Sequence, residues 1–82
     1  MRIRVLYFGG LRDDVGCGEE TIDLVSGELT MGDLADAIAA RHAAFAERRA
    51  CVRLARNEVF AGTDEPIADG DVIALIPPVA GG

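Results

Sequence analysis

Hydrophobic and polar residues alternate from the start of the chain. Arg2-Ile3-Arg4-Val5-Leu6-Tyr7-Phe8 predicts a strand with Ile3, Val5 and Tyr7 on one face. Gly9, Gly10, Gly16 and Gly18 then punctuate the chain. A second alternating run, Glu20 to Val25, sets Ile22 and Leu24 against Thr21 and Asp23. It predicts the return strand of a hairpin whose loop is longer than the tight two-residue kind. At Thr30 the period changes. Met31, Leu34, Ala35 and Ile38, with Ala39, fall at helical spacing and leave Asp36 and Arg41 for solvent. Thr30 is placed to cap the amide of Asp33, and the Asp33 carboxylate suits the positive end of the helix. Residues 43–49 fit either a second short helix or an irregular connection, pinned in both cases by Phe45. Cys51 to Ala55 alternates again, with Val52 and Leu54 opposite Arg53. Asn57-Glu58 predicts a turn, because Asn tolerates positive φ, and Val59-Phe60 a short return strand. Asp69-Gly70-Asp71 turns the chain into Val72–Ile76, its most apolar strand.

The predicted order is strand, strand, helix, strand, short strand, strand. One helix packed on one face of a mixed sheet is the economical solution for that set. The expectation is an α+β, ubiquitin-like β-grasp occupying residues 1–82 as a single domain, with residues 77–82 as an extended C-terminal tail. A single helix covers only one face. Ile3, Val5, Ile22, Leu24, Val52, Leu54, Ile73 and Leu75 are the candidates for the covered side. The other parity carries Leu6, Phe8, Val72, Ala74 and Ile76, with Phe60 nearby, where a solvated face would be mostly polar. Either loops or the Phe45 segment fold over these residues, or they form a patch that docks another protein.

Composition narrows the function classes. Half of the 82 residues are hydrophobic, enough for one modest core without staples. Fourteen acidic residues face eight basic ones, all arginine, for a net charge of -6. Such a surface repels phosphate backbones, which argues against nucleic acid and for a basic protein partner. The chain has no apolar run of membrane-spanning length and no basic-then-apolar leader, so a cytoplasmic protein without membrane contact is expected. Cys17 and Cys51 form no CxxC pair, and with His42 as the only histidine no metal site is expected. Cys51, opening an apolar run, reads as a small buried or half-buried residue, and Cys17, between two glycines, as the more exposed thiol. His42 reads as a helix-end residue, and Asp69 and Asp71 as turn residues rather than an acid–base pair. With no glycine-rich phosphate loop either, nothing predicts an enzyme in its own right.

The tail is the informative stretch. In Ile76-Pro77-Pro78-Val79-Ala80-Gly81-Gly82 the two prolines end the ladder and send the chain out stiffly. Extended, Pro78 to Gly82 reaches roughly 16 Å at about 3.3 Å per residue. The side chains shrink toward the end, so the backbone fits a narrow channel and the Gly82 carboxylate is open to attack a phosphate. A carboxylate is inert toward thiols and amines until it is converted to an acyl-adenylate, which implies an activating enzyme. A merely flexible terminus is the competing reading.

Val5-Leu6-Tyr7-Phe8 followed by Leu11-Arg12-Asp13, the Asn57-Glu58 turn, Pro66-Ile67 with Asp69-Gly70-Asp71, and the ending Pro77-Pro78-Val79-Ala80-Gly81-Gly82 resemble the small subunits of molybdopterin synthase, in the ubiquitin-like sulfur-carrier family. The resemblance spans the chain, with Ala80 standing where many members carry Thr or Ser. The thiazole-pathway carriers are similar in fold but shorter and lack the Pro-Pro. The resemblance implies that a ubiquitin-activating-like adenylyltransferase uses ATP on the Gly82 carboxylate and that a sulfur donor protein converts it to a thiocarboxylate. The tail then enters the large synthase subunit and gives its sulfur to the cyclic pyranopterin precursor, in a complex of two small and two large subunits. It implies that Pro77, Pro78 and Val79 aim the tail, that Ala80 and Gly81 thread the channel, and that Phe8, Phe60 and Ile76 dock. No cofactor is held permanently in that scheme. Delivery to thiazole, cysteine or transfer RNA, conjugation to lysines as a modifier, and a β-grasp module without tail chemistry remain the alternatives.

Overall fold

A computed structural model describes residues 1–25 and 27–78. Five strands form one mixed sheet in the order β2-β1-β5-β3-β4. The elements along the chain are β1 (Arg2–Tyr7), α1 (Gly9–Val15), β2 (Glu19–Asp23), α2 (Met31–Arg41), α3 (Ala43–Arg48), a 3-10 turn (Arg49–Cys51), β3 (Arg53–Arg56), β4 (Val59–Phe60) and β5 (Val72–Ile76). Strand β5 is central. It runs parallel to β1, with Val5 opposite Ile73 and Tyr7 opposite Leu75, and antiparallel to β3, with Leu54 opposite Leu75. This is the expected β-grasp, with more helix than one.

The helices share the face that the alternation assigned to the core. Ile3, Val5, Tyr7, Ile22, Ile73 and Leu75 of the sheet form one buried cluster with Met31, Leu34, Ala35 and Ile38 of α2. Phe45 of α3, Leu11 of α1, Val52 and Ile67 join it, while Leu24 and Leu54 lie half-buried against it. Burial at about 25 cal/mol per Å² of apolar surface is the main stabilising contribution, and ten of these side chains are fully enclosed. Phe45 thus supports the helical side and does not reach across to the other face.

Local chemistry sets the ends of α2. Thr30 Oγ1 accepts from the Asp33 amide at 3.2 Å and the Asp33 carboxylate accepts from the Thr30 amide at 2.8 Å, a reciprocal capping box. The next two amides donate to the crossing segment, Met31 to the Glu65 carbonyl and Gly32 to the Thr63 carbonyl, both at 2.8 Å. Four amides that a helix start leaves without partners are thereby largely satisfied. The β3–β4 link is a two-residue turn with Asn57 at φ 49° and Glu58 at φ 73°, the twist a tight hairpin needs.

Two expectations are corrected. The segment between β1 and β2 is a helix, α1, not a loop: Leu11 is buried, Val15 packs beside it one turn on, and Gly16 ends the helix at φ 93°. The cysteines are also reversed. Cys51 is exposed, on the outward side of its buried neighbour Val52, and Cys17 is the half-buried thiol, packed against the core. No described helix is long and apolar enough to cross a membrane.

Candidate functional site

The outer face of the sheet, opposite the helices, is divided in two. Across β1 and β2 it is polar: Arg2 Nε meets Asp23 Oδ1 at 3.0 Å, and Arg4 pairs with Glu19. Across β1, β5, β3 and β4 it is apolar. Leu6, Val72, Ala74 and Ile76 are half-buried, and Phe8 and Phe60 are 45% and 52% exposed. These six line one open groove of about 640 Å³, together with Ala55 and, at its rim, Arg4, Asn57 and Glu58. The predicted docking residues Phe8, Phe60 and Ile76 are therefore brought together, and no described loop or helix covers them. Ala55 was legible too: it shares the parity of Arg53 and pairs with Ala74. The Arg53 guanidinium lies 3.7 Å from the centre of the Phe60 ring, holding that side chain at the groove's edge by a cation–π contact.

The groove's framework is pinned by Asp71, a buried carboxylate at the head of β5. It accepts from Arg56 Nε at 2.7 Å, the Ala68 amide at 2.7 Å and Asn57 Nδ2 at 3.0 Å. Desolvation pushes its pKa up, but the bonds from Arg56, Ala68 and Asn57 outweigh it and hold the carboxyl below its ordinary value. Asn57 also accepts from the Val72 amide at 2.9 Å, so the β3–β4 turn is fastened to β5. The sequence predicts a turn at Asp69-Gly70-Asp71 and nothing more, since the Asn57 and Arg56 partners lie fourteen and fifteen residues away and leave no local signal.

The tail begins where the groove ends. Ile76 lines the groove and pairs with Arg53, and Pro77 and Pro78 follow directly, half-buried and exposed respectively. The expected roles of Val79, Ala80, Gly81 and Gly82 fall outside the described residues. His42 stands between α2 and α3 as expected, but its ring contacts Glu20 Oε1 at 2.7 Å. Glu20 also accepts from the Tyr7 hydroxyl at 2.5 Å. Burial, then that bond, pushes the Tyr7 phenol far up, so it stays a donor. This network belongs to the helical face and not to the groove. A second depression of about 410 Å³ on that side is lined by Ala35, Phe45, Val52 and Arg49 and touches the predicted set only through Phe60.

The ThiS family matches residues 5–82. The chain belongs to that family. As a ubiquitin-like sulfur carrier of the ThiS family it is 40% identical to the molybdopterin synthase sulfur carrier subunit of Chlamydomonas reinhardtii, over the whole of both chains. Its fold superposes on the small archaeal modifier protein 1 of Haloferax volcanii with a TM-score of 0.87 at 32% identity, again over all of both chains. It also superposes on a chain of the complex of subunits 1 and 2 of molybdopterin-converting factor from Helicobacter pylori, with a TM-score of 0.70, 28% identity and full coverage of both.

Proposed function

We propose that this ThiS-family chain carries sulfur on Gly82 for molybdopterin synthesis, as the non-catalytic small subunit of molybdopterin synthase. The observation that carries the reading is continuity: an uncovered apolar groove ends at Ile76, and the tail leaves from the next residue. A large subunit that seats on Phe8, Phe60 and Ile76 receives the tail at the border of the same contact. Charge agrees, since a chain of net charge -6 suits a basic partner surface.

The chemistry is that of the terminal carboxylate. Attack by Gly82 on the α-phosphate of ATP, held by an adenylyltransferase, gives an acyl-adenylate and releases pyrophosphate. Sulfide-level sulfur delivered by a donor protein then attacks the acyl carbon, the acyl–phosphate bond breaks with release of AMP and a proton, and a thiocarboxylate is left. Pro77, Pro78 and Val79 direct the tail, Ala80 and Gly81 pass through the partner's channel, and the large subunit moves the sulfur to the pyranopterin precursor. The cytoplasm is the proposed compartment.

Intact mass of the protein from cells that hold its activating enzyme and a sulfur source tests this. The expected result is a mass gain equal to sulfur replacing one oxygen, mapped to Gly82. An unmodified terminus under conditions that load an established carrier would overturn it. A second reading, a modifier joined to lysines, is favoured by the likeness to the small archaeal modifier protein 1 of Haloferax volcanii. Lysine-linked Gly-Gly adducts on other proteins, with no thiocarboxylate, would select it.

A further inference from the structure

Strands β1 and β5 run in the same direction and are paired through Tyr7 and Leu75, so both leave the sheet at the same end. Phe8-Gly9 of one exit therefore lies beside Ile76-Pro77 of the other. Gly9 opens α1 with φ +56°, and a Cβ at that position would stand 3.2 Å from Pro77 Cγ. That is tighter than most carbon contacts, and the proline ring cannot swing aside as a long side chain would. Gly16, at the other end of α1, is also left-handed at φ +93°, yet a Cβ there would meet nothing within 4 Å. The two glycines share a conformational need, and only Gly9 also makes room for a neighbour.

We propose that Gly9 is the positioning residue of the tail: the slot left by its missing side chain seats the Pro77 ring and so fixes the direction in which the chain leaves the body. Ile76 is held on its other side by Arg53 of β3. Pro77 has its own φ locked near -65°, so the seat of its ring sets the heading of Pro78. The consequence for sulfur loading rests on the carrier function proposed above; the directional claim does not.

The test compares Gly9→Ala, Gly16→Ala, Pro77→Ala and the double variant Gly9→Ala/Pro77→Ala in the full chain. Residual dipolar couplings of the Cα–Hα bonds of Ile76, Pro77 and Pro78, set in the frame of the strands, read the heading with no partner present. Gly9→Ala is expected to shift them and Gly16→Ala to leave them unchanged. With the adenylyltransferase and ATP, a misdirected carboxylate lowers kcat by about tenfold or more, while the unaltered surface of the body keeps KM near the wild-type value. Gly16→Ala keeps both constants, and the double variant regains kcat toward that of Pro77→Ala. Equal couplings in Gly9→Ala and Gly16→Ala, or a loss in Gly9→Ala that Pro77→Ala does not relieve, would overturn the proposal. Should Gly9→Ala fail to fold where Gly16→Ala folds, recovery of folding in the double variant supports the clash at Pro77, and continued failure overturns it. A wild-type chain that is never adenylated removes the carrier reading, and the couplings still decide the role of Gly9.

Discussion

Phe8→Ala separates docking from folding. Phe8 belongs neither to the buried core nor to the half-buried residues packed around it, and it is 45% exposed on the groove. A Phe side chain offers about 200 Å², so about 90 Å² of Phe8 is open for a partner to cover. At about 25 cal/mol per Å² that surface is worth about 2 kcal/mol on complex formation, or about thirtyfold in Kd. Titration calorimetry against the large synthase subunit reads that loss, and thermal unfolding of the free variant provides the control. The midpoint is expected to move far less than that of Tyr7→Ala, whose side chain lies in the core. An unchanged Kd would refute the placing of Phe8 in the interface, and a midpoint falling as far as that of Tyr7→Ala would show that it supports the fold instead.

Glu58→Gly is expected to stabilise the protein. Glu58 sits at φ 73°, where a Cβ costs about 1 kcal/mol or more, so its removal raises the melting midpoint by about 5 °C. An unchanged or lower midpoint would contradict that strain. Asp71→Ala leaves Arg56, Asn57 and the Ala68 amide without their acceptor and is expected to cost about 3 kcal/mol in urea unfolding at neutral pH. The folded-state pKa of Asp71 lies below its unfolded value, so its contribution is present above about pH 4 and is lost as the pH falls through the folded value. The stability gap between wild type and Asp71→Ala should narrow on acidification, and a constant gap would refute the assignment.

Local signals made most of this architecture legible. Alternation separated the two faces of β1 and β5, and the Thr30–Asp33 pair marked the start of α2 within the sequence that forms it. Helix α1 was missed because its seven residues open with two glycines, stop at Gly16 and bury only Leu11, too short a stretch for a helical period to emerge. The usable signal was the Leu11–Val15 spacing followed by Gly16 in the position of a helix C-cap. Cys51 is exposed on the outward parity it shares with Arg53, which the alternation itself indicates; the tendency of cysteine toward burial pointed the other way. Phe8 and Ile76 could be grouped in advance because strand parity puts them on one side of the sheet, whereas Phe60 joins them through its pairing with Ala55, a register that parity alone does not give. The slot at Gly9 could not be foreseen, since the parallel pairing of β1 with β5 joins residues more than sixty positions apart.

The tail emerges from the middle strand of the sheet, not from an edge. Traction along an edge strand is resisted by the single ladder that holds it. Traction along β5 strains the ladders to β1 and β3 together and in shear, so the load is shared and no single bond gives way first. Withdrawal of a tail from a tight channel on another protein would deliver just such a force, and the strand order lets the body bear it without unravelling.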